Sequence, residues 1–191
     1  MVETDNYKQL LHKLSTNGLY LRFCSISERN NEDLVLAAIK NNPRSISYAS
    51  AHLKNNKQLG QIVIESDPLA LQYLEQDLNS DKDFVLYCVN KNGNSLASAN
   101  DLLRADKEVV LAAVKKNGEA LKFASISLKN DKHIVLESLK HDLGNITYCG
   151  NDILDIINSG DPIKFLTYEI LREKLENGLP HKNNIENKRK I

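Results

Sequence analysis

Apolar and polar positions along this chain recur with a period of 25 residues, in six gapless copies starting at residues 6, 31, 56, 81, 106 and 131 and ending at residue 155. Two columns hold only Asn or Asp: Asn6, Asn31, Asn56, Asp81, Asp106 and Asp131 in one, and Asn17, Asn42, Asp67, Asn92, Asn117 and Asp142 in the other. A third column, Leu21, Ile46, Leu71, Leu96, Leu121 and Ile146, is wholly aliphatic. A short period in unbroken register is the pattern of stacked supersecondary units, each burying its apolar face against its neighbours instead of in a closed core.

The fifth copy, DKEVVLAAVKKNGEALKFASISLKN from Asp106 to Asn130, shows the unit most clearly. Asp106 is a natural N-cap, and Val109, Val110, Ala113 and Val114 form one apolar stripe of a first helix. The Asn117 column caps a second helix. Asn42-Pro43 and Asp67-Pro68 reinforce that reading, because proline suits the first helical position and disfavours helix in the residue before it. The second helix carries Leu121, Phe123, Ala124 and Leu128. Its aromatic column, Phe23, Tyr48, Tyr73, Phe123 and Tyr148, is broken only at Ser98 and is expected to wedge between layers. Helices of about 10 and 12 residues, roughly 15 and 18 Å long, are too short to stand alone, so the stack must hold them.

After residue 155 the register slips, but Asp161-Pro162 restates the cap-plus-proline start. Residues 162–177 then read as one amphipathic capping helix with Ile163, Leu166, Ile170, Leu171 and Leu175. Residues 178–191 are polar and aperiodic and are expected to be disordered. The fold expected is all-α: an α-solenoid of six 25-residue two-helix repeats with a C-terminal capping helix.

Charge narrows the function. Lys plus Arg and Asp plus Glu are 25 each, so no overall field draws the chain to nucleic acid or an anionic membrane. No apolar run approaches the roughly 18 residues of a membrane span, and no signal peptide is visible, so a cytoplasmic location is expected. Cys24 and Cys149 share a column five copies apart, too far for a disulfide when helices stack at ~8–10 Å per layer. Reduced, buried thiols are expected at Cys24, Cys88 and Cys149.

Candidate chemistry is sparse. No nucleophile, base and orienting group converge, so no catalytic residue, cofactor or metal site is assigned. His12, His52, His133, His141 and His181 do not share a helical face at metal-ligand spacing. Asp33, Asp83 and Glu108 sit in first helical turns, where the helix dipole accounts for them. The Asn-Gly pairs at 17, 92 and 117 are read as turn chemistry. Glu169, Glu173 and Glu176 near the basic tail are read as a solvated face with ion pairs to Arg172 and Lys174, or as part of a translocation signal.

What remains is the outer ridge of the first helices, at the third, seventh and tenth positions of each copy. Ile62 and Tyr87 occupy its seventh position in adjacent copies, with Leu69 near, and these three residues are the candidate partner-binding site. Alternatively, Gly60 and Gln61, at normally apolar positions, mark a rotated helix that buries Ile62.

The strings DKEVVLAAVKKNGEALKFAS and DKDFVLYCVNKNGNSLASAN resemble the repeat of domain of unknown function 4116, whose unit is about two of these copies. The resemblance covers residues 31–155 well and is weaker at LLHKLSTNGLYLRFCS and LGQIVIESDPLALQYL. It implies an α-helical repeat common in candidate effectors of intracellular bacteria, without settled activity or agreed functional residues. A second similarity is to leucine-rich variant repeats, which pair an α-helix with a 3₁₀-helix; the LxxAxxxL spacing here favours α for the second element. The function expected is a non-catalytic protein–protein interaction module, an effector that binds a host protein and is translocated to reach it. The alternatives are a regulator or cryptic enzyme whose site forms with a partner, and an RNA-binding helical repeat, which the neutral charge disfavours.

Overall fold

The computed structural model describes residues 2–157 and 161–178. Long α-helices open the copies at Val2–Thr16, Glu32–Asn41, Lys57–Ser66, Lys82–Lys91, Lys107–Lys116 and Lys132–His141, the last five recurring every 25 residues. In copies two to six the Asn/Asp column caps these helices as the sequence predicts. Asn31 Oδ1, for example, accepts from the Leu34 amide at 3.1 Å, and Asp81 Oδ1 from that of Phe84 at 2.9 Å.

The all-α solenoid stands, but the second helix of each repeat is not one α-helix. It is a six-residue 3₁₀-helix followed by a short α-helix, as in Pro43–Tyr48 with Ala51–Lys54 and Gly118–Phe123 with Ile126–Lys129. This is the pairing of α with 3₁₀ that the LxxAxxxL spacing had disfavoured. What the copies share is a break after the 3₁₀-helix, where Cys24, Ala49, Leu74, Ala99, Ala124 and Cys149 take extended backbone. In three copies a side chain then caps the short helix, Ser25, Ser50 and Asn100 accepting from the amide three residues on, whereas Glu75 and Ser125 stand at the same position without a side-chain cap. The six residues before that break close i→i+3 bonds, as in Ser45 N to Asn42 O at 2.9 Å and Ala49 N to Ile46 O at 3.0 Å. The Leu-x-x-Ala spacing of three suits either helix type and could not discriminate.

Side chains at positions 4, 5, 8 and 9 of the long helices form the core, for instance Val109, Val110, Ala113 and Val114, all 0% exposed. They meet the aliphatic column (Leu21, Ile46, Leu71, Leu96 and Leu121, fully buried) and a column at position 23 (Leu53, Leu78, Leu103, Leu128, Ile153). The aromatic column does not wedge between layers: Phe23 is 63% exposed, and Tyr48, Tyr73, Phe123 and Tyr148 are half-buried at the surface of the core. Cations lie over some of these rings, Arg22 at 4.3 Å from the Phe23 centroid and Lys122 at 5.0 Å from that of Phe123. Among the described residues the fully buried ring is Phe84, which projects into the space left by Gly60 of the preceding copy; a Cβ on Gly60 would lie 2.9 Å from Phe84 Cζ. Leu59, Gly60, Val63 and Ile64 are the buried positions of that helix, as in the other copies, so it has not rotated.

Two periodic contacts tie copy to copy. The position-20 amide donates to the position-24 carbonyl of the preceding copy: Ser50 to Arg29 (3.0 Å), Glu75 to Lys54 (3.3 Å), Asn100 to Asn79 (3.1 Å), Ser125 to Arg104 (2.9 Å) and Gly150 to Lys129 (2.9 Å). Along the long helices, Lys57 pairs with Asp81 (2.8 Å), Lys82 with Asp106 (2.8 Å) and Lys107 with Asp131 (2.5 Å). Close approach between layers also explains the glycines. A Cβ on Gly18 or Gly93 would lie 2.2 or 2.3 Å from the carbonyl oxygen of Ala38 or Ala113. Among the described residues no backbone has positive φ, so these glycines serve close packing, while Asn92 and Asn117 make the turns, their Oδ1 atoms accepting from the amides of Asn94 and Glu119 at 3.0 and 3.1 Å.

The end faces are built differently. Columns that are apolar in copies two to six turn polar in the first at Gln9 and Glu28, and Lys13 stands where the inner copies have small or apolar residues. Glu28 Oε2 accepts from the Ser25 amide at 2.6 Å, replacing the carbonyl that a preceding copy supplies elsewhere. At the other end, helix Pro162–Gly178 buries Leu166 and Ile170, and its Glu169 and Glu173 take Lys132 at 3.4 and 2.6 Å where an inner copy would offer its capping Asp. Glu169 also pairs with Arg172 at 2.9 Å. Glu169 and Glu173 therefore close the stack instead of forming a merely solvated face. The Glu176 side chain and the tail beyond Gly178 lie outside the described residues.

Candidate functional interface

In copies two to six the long helices bury positions 4, 5, 8 and 9, which leaves positions 3, 6, 7 and 10 on the outer face. Position 6 is Leu11, Leu36, Leu86, Leu111 and Leu136, half-buried and interrupted only by Gln61. Acidic residues flank this apolar band toward the helix N-termini (Asp33, Asp83, Glu108) and basic ones toward the C-termini (Lys40, Lys91, Lys115, Lys140), each in register with the helix dipole.

Between the first two long helices the band opens into a cleft of about 910 Å³. Leu11, Leu36 and Ala37 give it an apolar lining, with Lys8, His12, Ser15 and Lys40 around them. At one end the Tyr7 hydroxyl donates to Asp33 Oδ2 at 3.4 Å, and partial burial together with that carboxylate raises the phenol's pKa. His12 is exposed, and its carbonyl accepts from Ser15 Oγ at 2.7 Å.

The residues singled out from sequence are placed as follows. Ile62 is half-buried against the core, Tyr87 is half-buried, and Leu69, on a 3₁₀-helix, is 43% exposed. Tyr87 is no bare apolar surface. Its hydroxyl donates to Glu65 Oε1, Lys91 Nζ lies 2.8 Å from the same oxygen, and that ammonium is 5.5 Å from the Tyr87 ring centroid. The Lys91 and Tyr87 donors hold the Glu65 carboxyl below its usual range, while burial and Glu65 push the Tyr87 phenol up to about 12. The cleft at copies one and two escaped the sequence reading because small residues make it: Ala37 stands where copy four has Tyr87, and Ser15 where copy three has Glu65.

Other chemistry is thin. Cys24, Cys88 and Cys149 are free and buried, and burial raises all three thiols, Cys88 to about 12 and Cys149 to about 11. Among the described residues no three His, Cys, Asp or Glu side chains gather as a metal site, and no helix is long and apolar enough to cross a membrane. His52, His133 and His141 are exposed; His181 lies outside the described residues. On the short-helix face, Arg29, Lys54, Arg104 and Lys129 share one column, with Lys54 paired to Glu75 at 2.6 Å and Arg104 to Asp101.

A family model described as "Domain of unknown function (DUF4116)" matches residues 10–58, 62–104 and 106–154, so that each match spans about two of the 25-residue copies. No curated protein and no solved structure matches the chain.

Proposed function

The chain belongs to the DUF4116 family of unknown function, and from that premise we propose that it is a non-catalytic protein-binding module whose contact surface is the outer face of the long helices. The observation that supports this most is the apolar band along that face, opened into a cleft of about 910 Å³ at copies one and two. Short stacked repeats create an extended surface of this kind without any closed chamber for chemistry. The effector role, and the translocation it entails, extend this reading on the family resemblance alone; export assayed with and without residues 178–191 tests whether the tail carries the signal.

A photo-crosslinking side chain placed at Ser15, in the cleft, or at Ser127, on the short-helix face, tests the binding surface in cell lysate. Cross-links to a partner protein from position 15 and not from 127 are expected. Cross-links from 127 alone would move the site to the other face. The RNA-binding alternative would use the Arg29, Lys54, Arg104 and Lys129 column, and salt-sensitive retention of oligonucleotides by that column is its test.

A further inference from the structure

Because the copies superpose in sequence register, one groove of the array can be compared with another. Between copies three and four, the seventh-position side chain is the Tyr87 ring; its hydroxyl reaches Glu65 at position 10 of the preceding copy, with Lys91 at position 11 of its own. Between copies one and two, those three positions are Ala37, Ser15 and Asn41, and all three line the open cleft. The cleft is the groove of copies three and four without its phenol ring and without its carboxylate. Cations outnumber anions around it: Lys8 and Lys40, with the His12 imidazole beside them, stand against one carboxylate, Asp33, which already accepts from Tyr7.

Resting on the reading that the long-helix face binds protein, we propose that the cleft takes an aromatic side chain of a partner segment that carries carboxylates beside it. The ring replaces the missing tyrosine over Leu11, Leu36 and Ala37, and the flanking acids meet the Lys8 and Lys40 ammonium groups. This is an anchor-in-groove contact, with apolar area supplying affinity and the charged rim supplying selection.

Two probes test it on the full chain by methyl NMR: p-cresol, the tyrosine side chain alone, and the peptide Asp-Glu-Tyr-Glu-Asp. Both are expected to shift the methyl resonances of Leu11, Leu36 and Ala37. The peptide should bind about tenfold more tightly than Asp-Glu-Ala-Glu-Asp, and about tenfold more tightly than to a Lys8→Glu/Lys40→Glu chain. Ala37→Tyr should abolish the shifts at Leu11 and Leu36. So should the double variant Ser15→Glu/Ala37→Tyr, which supplies the ring with its carboxylate and leaves in place Asn41, whose Oδ1 accepts from the Gly18 amide at 2.8 Å. Unmoved methyls in the wild type, or equal affinity for the tyrosine and alanine peptides, would overturn the proposal. Should that happen while position 15 still cross-links to a partner, the binding face stands and the aromatic anchor is wrong; loss of both would remove the underlying reading.

Discussion

Single residues in this molecule are understood through the copy next door. Gly60 is unexplained within its own helix, where glycine costs roughly 1 kcal/mol relative to alanine, and is explained by Phe84, whose ring occupies the volume that Val has at the same position in other copies. Gly60→Val should therefore destabilise by about 1–3 kcal/mol through overpacking, and Phe84→Leu by leaving a cavity. The double variant should cost less than the sum, with a coupling of about 1 kcal/mol in urea unfolding; strict additivity would mean that the pair does not share space. The thiols make a second test. Burial raises all three, so none should react with a thiol reagent at neutral pH until the chain unfolds. Tyr87 makes a third: its phenol titrates near 12 because of burial and Glu65, and Glu65→Gln should bring it down toward 10 in an absorbance titration.

Caps and ion-pair ladders hold each helix in place between its neighbours. Asp81 and Asp106 are held below the ordinary carboxylate range by Lys57 and Lys82 and by the backbone amides they cap. Burial pushes Asp131 up, but Lys107 and the Ile134 and His133 amides outweigh it. A lowered folded value means that the ladder's stabilisation is present above the unfolded value near 3.8 and is lost as pH falls through the lower folded values. Acid unfolding should accordingly set in below about pH 4. Asp106→Asn should flatten that dependence while keeping the cap, whereas Asp106→Ala should also lose about 1 kcal/mol of capping at neutral pH. Much of this was legible beforehand, because Asn/Asp columns and an i, i+4 apolar stripe each mark one structure. The 3₁₀-helix was not. Its spacing of three is shared with α, and the Ser/Asn column at Ser25, Ser50, Asn100 and Ser125 is interrupted by Glu75 and Gly150 in copies that break at the same place, so no side-chain signal marks the break in every copy. The ridge was likewise legible as a face, but reading for large apolar residues led to Ile62 and Tyr87, whereas the opening lies where Ala37 and Ser15 leave space.

The whole molecule is a stack whose two ends are finished with charge and whose middle is held by repeated contacts between layers. Polar substitutions in the columns of copy one, and the capping helix with Glu169 and Glu173, blunt the end faces and leave the long-helix face as the broad apolar surface. If that face is the working surface, its charge matters and that of the short-helix face does not. The most direct test is affinity capture with two charge-reversed chains, each checked for unchanged helicity and melting: Lys8→Glu/Lys40→Glu at the cleft and Arg29→Glu/Lys129→Glu on the opposite face. The partner held by the wild type is expected to be lost by the first and kept by the second. A partner kept by the first and lost by the second would contradict that expectation.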